Sequence, residues 1–242
     1  MRNPFVFFDL GGTLVDLRGI VTSMAARLSA IHVRGPVPLA LLWAGKTAEA
    51  LPTAQGERFR SERVIATEVL RDLLERRGRS DRDKQADTLV REAWANYVGA
   101  SVLQADVTIK WLLKLKSNVA GLGLVTDGDT EAVEGVLSHT GLNGLFDAVT
   151  TSEAVGSYKP DARIYRAALK ALKAKPSESL FVSDSALDLQ GAADLGIGSA
   201  WIRRNLFPDL AKPPASSLTL SRIEDVDQIV TGFASTRRFE LR

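Results

Sequence analysis

The chain of 242 residues has no cysteine and only two histidines, His32 and His139. Without cysteine there are no disulfides, thiolate zinc sites, iron–sulfur clusters or cysteine nucleophiles. The two histidines lie far apart in sequence, which argues against a multi-histidine metal site and most histidine-based acid–base schemes.

Long apolar runs are also missing. No segment approaches the ~20 residues of a membrane-spanning helix, and the short apolar run near the N-terminus lacks the length of a signal peptide. Lysine and arginine total 31 against 29 aspartate and glutamate, a balance that does not indicate nucleic acid or a membrane surface as a partner. We expect a cytoplasmic globular protein that binds a small molecule.

The first segments predict a strand followed by a helical insert. Phe5–Phe8 is apolar at every position, as in a strand that is buried on both faces of a parallel sheet. Apolar residues then recur at spacings of three and four. They predict four helices, at Val21–Ile31, Leu39–Leu51, Val64–Leu74 and Ala86–Val98.

After Gln104 helices and strands alternate. Strands are predicted at Gly121–Val125, Ala148–Thr151, Leu180–Ser183, Ala200–Ile202 and Ser217–Leu220, and helices at Val107–Leu115, Asp129–Ser138, Ala162–Leu172 and Asp188–Leu195. Ser221 and Glu224 predict a capping box that opens a last helix. The pattern predicts an α/β protein with a Rossmann-like three-layer core around a parallel sheet, and a small all-helical cap domain. The core takes residues 1–17 and 101–242, and the cap takes 18–100.

Two glycine-containing segments resemble phosphate-binding motifs without meeting their requirements. Gly45-Lys46-Thr47 lacks the earlier glycine of a P-loop and follows a helical pattern. Gly121-Leu122-Gly123 lacks the third glycine of a dinucleotide fingerprint and lies inside a strand.

Four short motifs lie at or near the carboxyl ends of predicted strands, where open α/β sheets bind ligands. They are Phe8-Asp9-Leu10-Gly11-Gly12-Thr13-Leu14, Leu124-Val125-Thr126-Asp127-Gly128, Ser157-Tyr158-Lys159-Pro160, and Phe181 to Asp188 continuing to Gly191-Ala192-Ala193. In this order, with a helical insert after the first, they resemble the haloacid dehalogenase superfamily of hydrolases. The resemblance covers most of the chain, and the superfamily includes phosphatases, phosphonatases, dehalogenases and mutases.

The resemblance implies a role for each motif. Asp9 is the expected nucleophile, because a carboxylate at a strand end can attack phosphorus or carbon and form a covalent intermediate. Thr126, with the backbone N–H groups near Asp127 and Gly128, is expected to hold a substrate phosphate. Lys159 is expected to contact Asp9 and the substrate and to neutralise the crowded negative charge.

The fourth motif implies a magnesium site. Asp184 and Asp188 lie four residues apart at a strand-to-helix turn, and carboxylates of this kind suit Mg²⁺. The implied ligands are Asp9, the Gly11 backbone carbonyl and Asp184, with Asp188 in a supporting position. A simple helix N-cap is the alternative role for Asp188.

Gly11 departs from the phosphatase pattern. Phosphatases of the superfamily carry an Asp two residues after the nucleophile, and this residue serves as general acid and base. Glycine has no side chain for that role, and such catalysis is typically worth ~10²–10⁴-fold. We therefore expect a Mg²⁺-dependent hydrolase that acts slowly on a small phosphate ester or acyl phosphate through a phosphoryl intermediate on Asp9.

Two alternatives stay open. A 2-haloacid dehalogenase shares the nucleophile and Lys159 and uses no metal, but usually replaces the acids of the fourth motif with uncharged residues, whereas this chain keeps them. A catalytically impaired protein that binds or regulates would account for Gly11. Four cationic cap residues are candidates for binding a substrate anion: Arg18, Lys46, Arg58 and Arg60.

Overall fold

The computed structural model describes residues 3–78, 82–204 and 212–241, and of residues 82–84 only the backbone. In these ranges six strands form one sheet, in which all neighbouring strands run parallel. The strands are β1 (Phe5–Phe8), β2 (Gly121–Thr126), β3 (Ala148–Thr151), β4 (Ser179–Ser183), β5 (Gly198–Ile202) and β6 (Leu218–Leu220). Their spatial order, β3-β2-β1-β4-β5-β6, is that of a Rossmann-like sheet and confirms the predicted α/β class.

Four helices between β1 and β2 pack against one another. They are α1 (Arg18–Ala30), α2 (Pro36–Ala50), α3 (Glu62–Glu75) and α4 (Arg82–Ala100). Met24, Leu28, Trp43 and Leu70 belong to a hydrophobic cluster of their own. This insert is called the cap below. Its separation as a domain of residues 18–100 stays a prediction.

The remaining helices cover the two faces of the sheet. They are α5 (Ile109–Asn118), α6 (Thr130–His139), the short α7 (Ser152–Val155), α8 (Ala162–Leu172), α9 (Ala186–Ala193) and α10 (Val226–Thr236). Side chains of a strand alternate between faces. Val6 and Phe8 accordingly pack in a cluster with residues of α5, α6 and α10, while Phe7 packs in a second cluster with residues of α8 and α9. These two clusters and the sheet make up the three layers.

The last helix begins differently from the prediction. Asp225, rather than Glu224, accepts hydrogen bonds from the backbone N–H groups of Ser221 (2.8 Å) and Arg222 (2.9 Å). A short 3₁₀ turn at Ile223–Asp225 then leads into α10. Within the described ranges, no helix combines the length and apolar character needed to cross a membrane.

Candidate active site

Asp9 lies where the order of the sheet reverses. It follows β1, which pairs with β2 on one side and β4 on the other, so the carboxyl ends of three strands meet at this point. The backbone N–H of Asp9 donates to the carbonyl of Val182 at 3.0 Å and so continues the pairing by one residue. Ligands of open α/β sheets bind in the crevice at such a switch point.

Lys159 joins two carboxylates in this crevice. Its Nζ lies 2.5 Å from Oδ1 of Asp9 and 2.7 Å from Oδ2 of Asp188. All three residues are buried. The first, third and fourth motifs lie far apart in the sequence, and the sheet brings the predicted nucleophile and the predicted lysine into direct contact.

Thr13 connects Asp9 with Asp184. Its hydroxyl lies 3.0 Å from Oδ2 of Asp9 and 3.1 Å from Oδ1 of Asp184, and it accepts a hydrogen bond from the Asp184 backbone N–H. The hydroxyl has one hydrogen, so only one of the two carboxyl contacts can use it. Burial, together with the nearby Asp9 charge, raises the pKa of Asp184 to about 7. In the protonated form, Asp184 donates to the Thr13 hydroxyl and leaves the Thr13 hydrogen for Asp9.

The charge of this cluster is dominated by carboxyl groups. Burial opposes the ammonium form of Lys159, but Asp188, Asp9 and Asp127 outweigh it and hold the Lys159 pKa well above its ordinary value. Burial also raises the pKa of Asp9, while Lys159 and Thr13 oppose the rise. The pKa of Asp127 rises to about 7, again mainly through burial. Lys159 is therefore a permanent cation among carboxyls that compete for it.

The turn after Asp9 depends on Gly12. Its φ is +81°, a conformation that side chains rarely adopt, and a Cβ atom placed there would lie 2.5 Å from Oδ2 of Asp184. The missing side chain lets the first motif approach the fourth.

The second motif lies beside this cluster but its donors are partly occupied. The Gly128 N–H donates to the Ser152 hydroxyl at 2.9 Å, and the Asp127 carboxylate accepts from the Lys159 backbone N–H at 3.0 Å. Thr126 is buried. These three predicted substrate-binding residues all line one cavity, and their roles stay predictions.

The cavity has a volume of about 200 Å³ and separates the crevice from the cap. From the core it is lined by Leu10, Gly11, Thr126, Asp127, Gly128, Ala132, Val133 and Val136, and from the region of the cap by Leu17, Ile20, Trp43, Ala44, Thr47, Ala48, Leu51, Glu62, Trp94 and Tyr97. Its walls are thus mostly aliphatic and aromatic.

Glu62 and Thr47 are polar residues of the cap that line this cavity, and neither was predicted from the sequence to contact a ligand. Burial and the charges of Asp129 and Asp127 raise the pKa of Glu62 to about 8. Thr47 is buried, and its hydroxyl has no hydrogen-bond partner among the described residues. In the sequence Glu62 is one acid in a charged stretch and Thr47 one residue of a helix, so only the fold reveals what they face.

The cap also holds the loop that carries Lys159. The Gln55 side chain donates to the carbonyl of Tyr158 (3.0 Å) and accepts from the N–H of Tyr158 (3.0 Å) and the hydroxyl of Ser157 (3.1 Å). The Tyr158 hydroxyl donates to the carbonyl of Arg60 at 2.8 Å, and its ring stacks on Phe59. Cap residues therefore fix the backbone next to Lys159.

A second link places α3 over the core. Asp129, just before α6, accepts from the backbone N–H groups of Glu62 (2.8 Å) and Arg63 (3.2 Å). These N–H groups open a helix and have no partner within it. The link fixes Glu62 at the cavity wall.

Comparison with known proteins gives the family. The family model of haloacid dehalogenase-like hydrolases matches residues 5–196. This chain belongs to the haloacid dehalogenase-like hydrolases. An (S)-2-haloacid dehalogenase of Pseudomonas sp. (strain YL) is 29% identical over 220 residues, which cover 90% of both chains.

Two further proteins show the range of this likeness. A glyceraldehyde 3-phosphate phosphatase of Methanothermobacter thermautotrophicus is 26% identical over 241 residues, covering 93% of this chain and 96% of its own. The crystal structure of the L-2-haloacid dehalogenase RSc1362 superposes with a TM-score of 0.75 at 24% identity, over 96% of this chain and 100% of the other. The structural match supports the same fold.

The predicted reaction, Mg²⁺-dependent phosphoryl hydrolysis of a phosphorylated metabolite, is wrong. Most of the relatives that match over the greater part of this chain are 2-haloacid dehalogenases. The phosphatase of Methanothermobacter thermautotrophicus matches at lower identity than the Pseudomonas enzyme. Gly11 stands where phosphatases of the superfamily carry the acid–base Asp, and this departure from the phosphatase pattern is visible in the sequence.

The predicted cofactor, Mg²⁺, is wrong for the same reason, since most of the relatives that match across the chain are 2-haloacid dehalogenases. The geometry explains the misleading signal. The ammonium of Lys159 lies between Asp9 and Asp188, and the Asp184 carboxyl contacts the Thr13 hydroxyl, so each of these carboxyls already has a partner within the protein. No group of three potential ligand residues within the described ranges is arranged to hold a metal. Asp188 is not the N-cap of α9 either, because Ser185 takes that position and accepts from the Asp188 N–H.

The four cationic cap candidates lie away from the cavity. Arg18 contacts Asp16, Lys46 contacts Glu49 and Arg60 contacts Glu68, and the side chains of all three cations are about half exposed or more. Arg58 is exposed and borders a separate surface depression. None of these four residues lines the cavity above Gly11 and Asp127.

Proposed function

We propose that this protein is a metal-independent hydrolase of the 2-haloacid dehalogenase type, which displaces a halide from carbon. The observation that carries the proposal is the contact of Asp9 with Lys159, because it supplies a buried carboxylate nucleophile whose position is fixed by a cation. The dehalogenase relatives support the choice of carbon over phosphorus. A cytoplasmic location stays a prediction from the sequence.

The first chemical step is a displacement by Asp9. One carboxylate oxygen attacks the carbon that carries the halogen, a carbon–oxygen bond forms, and the halide leaves with the electron pair of the broken bond. Lys159 and Thr13 hold the carboxylate in one orientation from its two oxygens. The fixed orientation places the nucleophile for reaction, which is a large part of what an enzyme can contribute.

The second step hydrolyses the ester on Asp9. Water attacks the carbonyl carbon of the Asp9 side chain, the bond between that carbon and the substrate oxygen breaks, and a hydroxylated product leaves. We assign Asp188 as the general base that takes a proton from this water, since Asp188 and Asp9 contact the same Lys159 ammonium. In the overall reaction, the organic halide and water are converted to an alcohol, a halide ion and one proton.

Halide release tests this proposal. Purified protein is incubated with a panel of 2-chlorinated acids, amides and esters in the presence of EDTA, and chloride is measured over time. We expect release by the wild type and at least a hundredfold slower release, about 3 kcal/mol in the barrier, by Asp9→Asn. Absence of chloride from every compound, or equal rates for the two proteins, would contradict it.

A further inference from the structure

The cavity next to Asp9 has walls that suit an uncharged ligand. No lysine, arginine or histidine is among the described residues that line it. Trp43, Trp94 and Tyr97 supply aromatic surface, and most of the other lining side chains are aliphatic. Pockets of this composition bind apolar groups and use a few polar atoms to orient them.

The ionisable groups on the walls are two carboxyls and the phenol of Tyr97, and none of them is a cation. Glu62 and Asp127 both line the cavity, and both have raised pKa values, about 8 and about 7. A carboxylate ligand placed between them would lie beside acidic groups, with no cation among the lining residues. Moving a charge out of water without a partner is disfavoured.

Lys159 does not supply the missing cation. It already contacts Asp9 at 2.5 Å and Asp188 at 2.7 Å. Neither Lys159 nor Asp9 is among the residues that line the cavity, whose wall includes Leu10 and Gly11, next to Asp9 in the sequence. Its charge is therefore used within the cluster of carboxyls around the nucleophile.

Two polar groups can bind a neutral polar atom of the ligand. The Thr47 residue is 4% exposed, lines the cavity, and its hydroxyl lacks a hydrogen-bond partner among the described residues. An unsatisfied buried hydroxyl is costly, and a ligand that bonds to it removes that cost. Glu62 in its protonated form adds an O–H donor.

We propose that the cavity binds an uncharged 2-halogenated carbonyl compound, such as an amide or ester, whose apolar substituent packs against Trp43 and Trp94 and whose neutral polar group bonds to Thr47. This rests on the proposed function in taking the halide as the leaving group. The substituent is about the size of a phenyl ring, since a cavity of about 150 Å³ holds benzene and this one measures about 200 Å³. A free 2-haloacid, which is an anion at neutral pH, is disfavoured.

Binding of unreactive analogues tests the inference without any turnover. Phenylacetamide and phenylacetate are titrated against the wild-type protein, and the fluorescence of Trp43 and Trp94 in the cavity reports binding. We expect the amide to bind at least about tenfold more tightly than the carboxylate. Equal affinity, tighter binding of phenylacetate, or binding of neither compound would overturn the inference.

A charge placed at the cavity provides the matched variants. Ala48 lines the cavity and is exposed, so Ala48→Arg introduces a cation at little cost to folding, and Ala48→Gln adds a long side chain without charge. We expect Ala48→Arg to shift the preference toward phenylacetate by about tenfold and Ala48→Gln to leave it unchanged. The same shift in both variants would mean that charge does not govern selection, and would overturn the inference.

Turnover separates this inference from the proposed function. Chloride release from 2-chloro-2-phenylacetamide and 2-chloro-2-phenylacetate is compared as kcat/KM. Faster release from the amide supports the inference, and faster release from the acid overturns it while leaving the dehalogenase proposal intact. Selective binding of phenylacetamide without any chloride release overturns the proposed function but leaves the uncharged ligand in place.

Discussion

Replacing Glu62 by glutamine should make the protein less sensitive to alkaline pH. The pKa of Glu62 lies near 8 in the folded protein against 4.5 for an ordinary glutamate, because the carboxyl is buried near Asp129 and Asp127. The folded state therefore holds this proton more tightly than the unfolded state, and stability falls as pH rises from about 4.5 through about 8. Glutamine resembles the protonated acid and cannot ionise, so the variant escapes this part of the loss.

The size of the effect follows from the two pKa values. Each pKa unit corresponds to about 1.4 kcal/mol, so a group with these values loses at most about 4 kcal/mol between about pH 5 and about pH 9. The Glu62 side chain is only partly covered and borders a cavity that water can enter, which reduces the loss to about 1–3 kcal/mol.

Urea unfolding at the two pH values measures this. The free energy of unfolding of Glu62→Gln, relative to the wild type, should be near zero at about pH 5 and positive by about 1–3 kcal/mol at about pH 9. Glu131→Gln, on the exposed face of α6, is the matched control and should track the wild type at both values. A wild type and a Glu62→Gln variant that lose stability in parallel would refute the reasoning.

Three further substitutions test the support around the nucleophile. Gln55→Ala removes three hydrogen bonds to Ser157 and Tyr158 and leaves the Tyr158 N–H without its acceptor, whereas the Tyr158 carbonyl keeps its bond from the Asp161 N–H. The variant should lose about 1–3 kcal/mol of stability, and kcat for halide release should fall about tenfold; an unchanged kcat would show that the cap does not position Lys159. Gly12→Ala should lower the melting temperature and cost about 1–3 kcal/mol of stability, because the added Cβ meets the Asp184 carboxyl and the φ of this residue is positive. Gly45→Ala is the control, since a Cβ there meets open space, and it should not lower the melting temperature. Similar melting temperatures for the two variants would contradict the role of the turn. In urea unfolding, Lys159→Met should be about 3–5 kcal/mol less stable than the wild type, because Asp9 and Asp188 are left without their cation. The double variant Lys159→Met with Asp188→Asn should recover part of this stability. An additive or larger loss in the double variant would argue against the shared ion pair.

The fold was largely predictable because its signals are local. The all-apolar Phe5–Phe8 segment is typical of a strand buried on both faces, and all predicted strands are present with ends that differ by at most two residues. The 3.6-residue periodicity likewise marks the cap helices. The start of α9 was misjudged because Ser185 and Asp188 both suit helix starts, and only the backbone geometry shows that Ser185 caps the helix.

The site was predictable in its core and not in its chemistry. The four motifs point to Asp9 and Lys159, and these two meet in space. Asp184 and Asp188 were predicted to belong to a Mg²⁺ site, whereas in the structure Asp188 contacts an ammonium and Asp184 contacts a hydroxyl. A carboxylate can bind any of these three partners, and the sequence does not show which one lies nearest. Glu62, Thr47 and Gln55 were not predicted as residues of the site, because their neighbours there come from distant segments of the chain.

The central claim is that Asp9 forms an ester with the substrate and that water then attacks the Asp9 side chain. A single turnover in heavy-oxygen water, with protein in excess over a chlorinated substrate, tests it directly by mass spectrometry of the Asp9 peptide and of the product. We predict that the heavy oxygen enters the Asp9 carboxylate while the product hydroxyl carries an ordinary oxygen from Asp9. Heavy oxygen in the product, with none in the Asp9 peptide, would mean that water attacks the substrate carbon directly and would contradict the account.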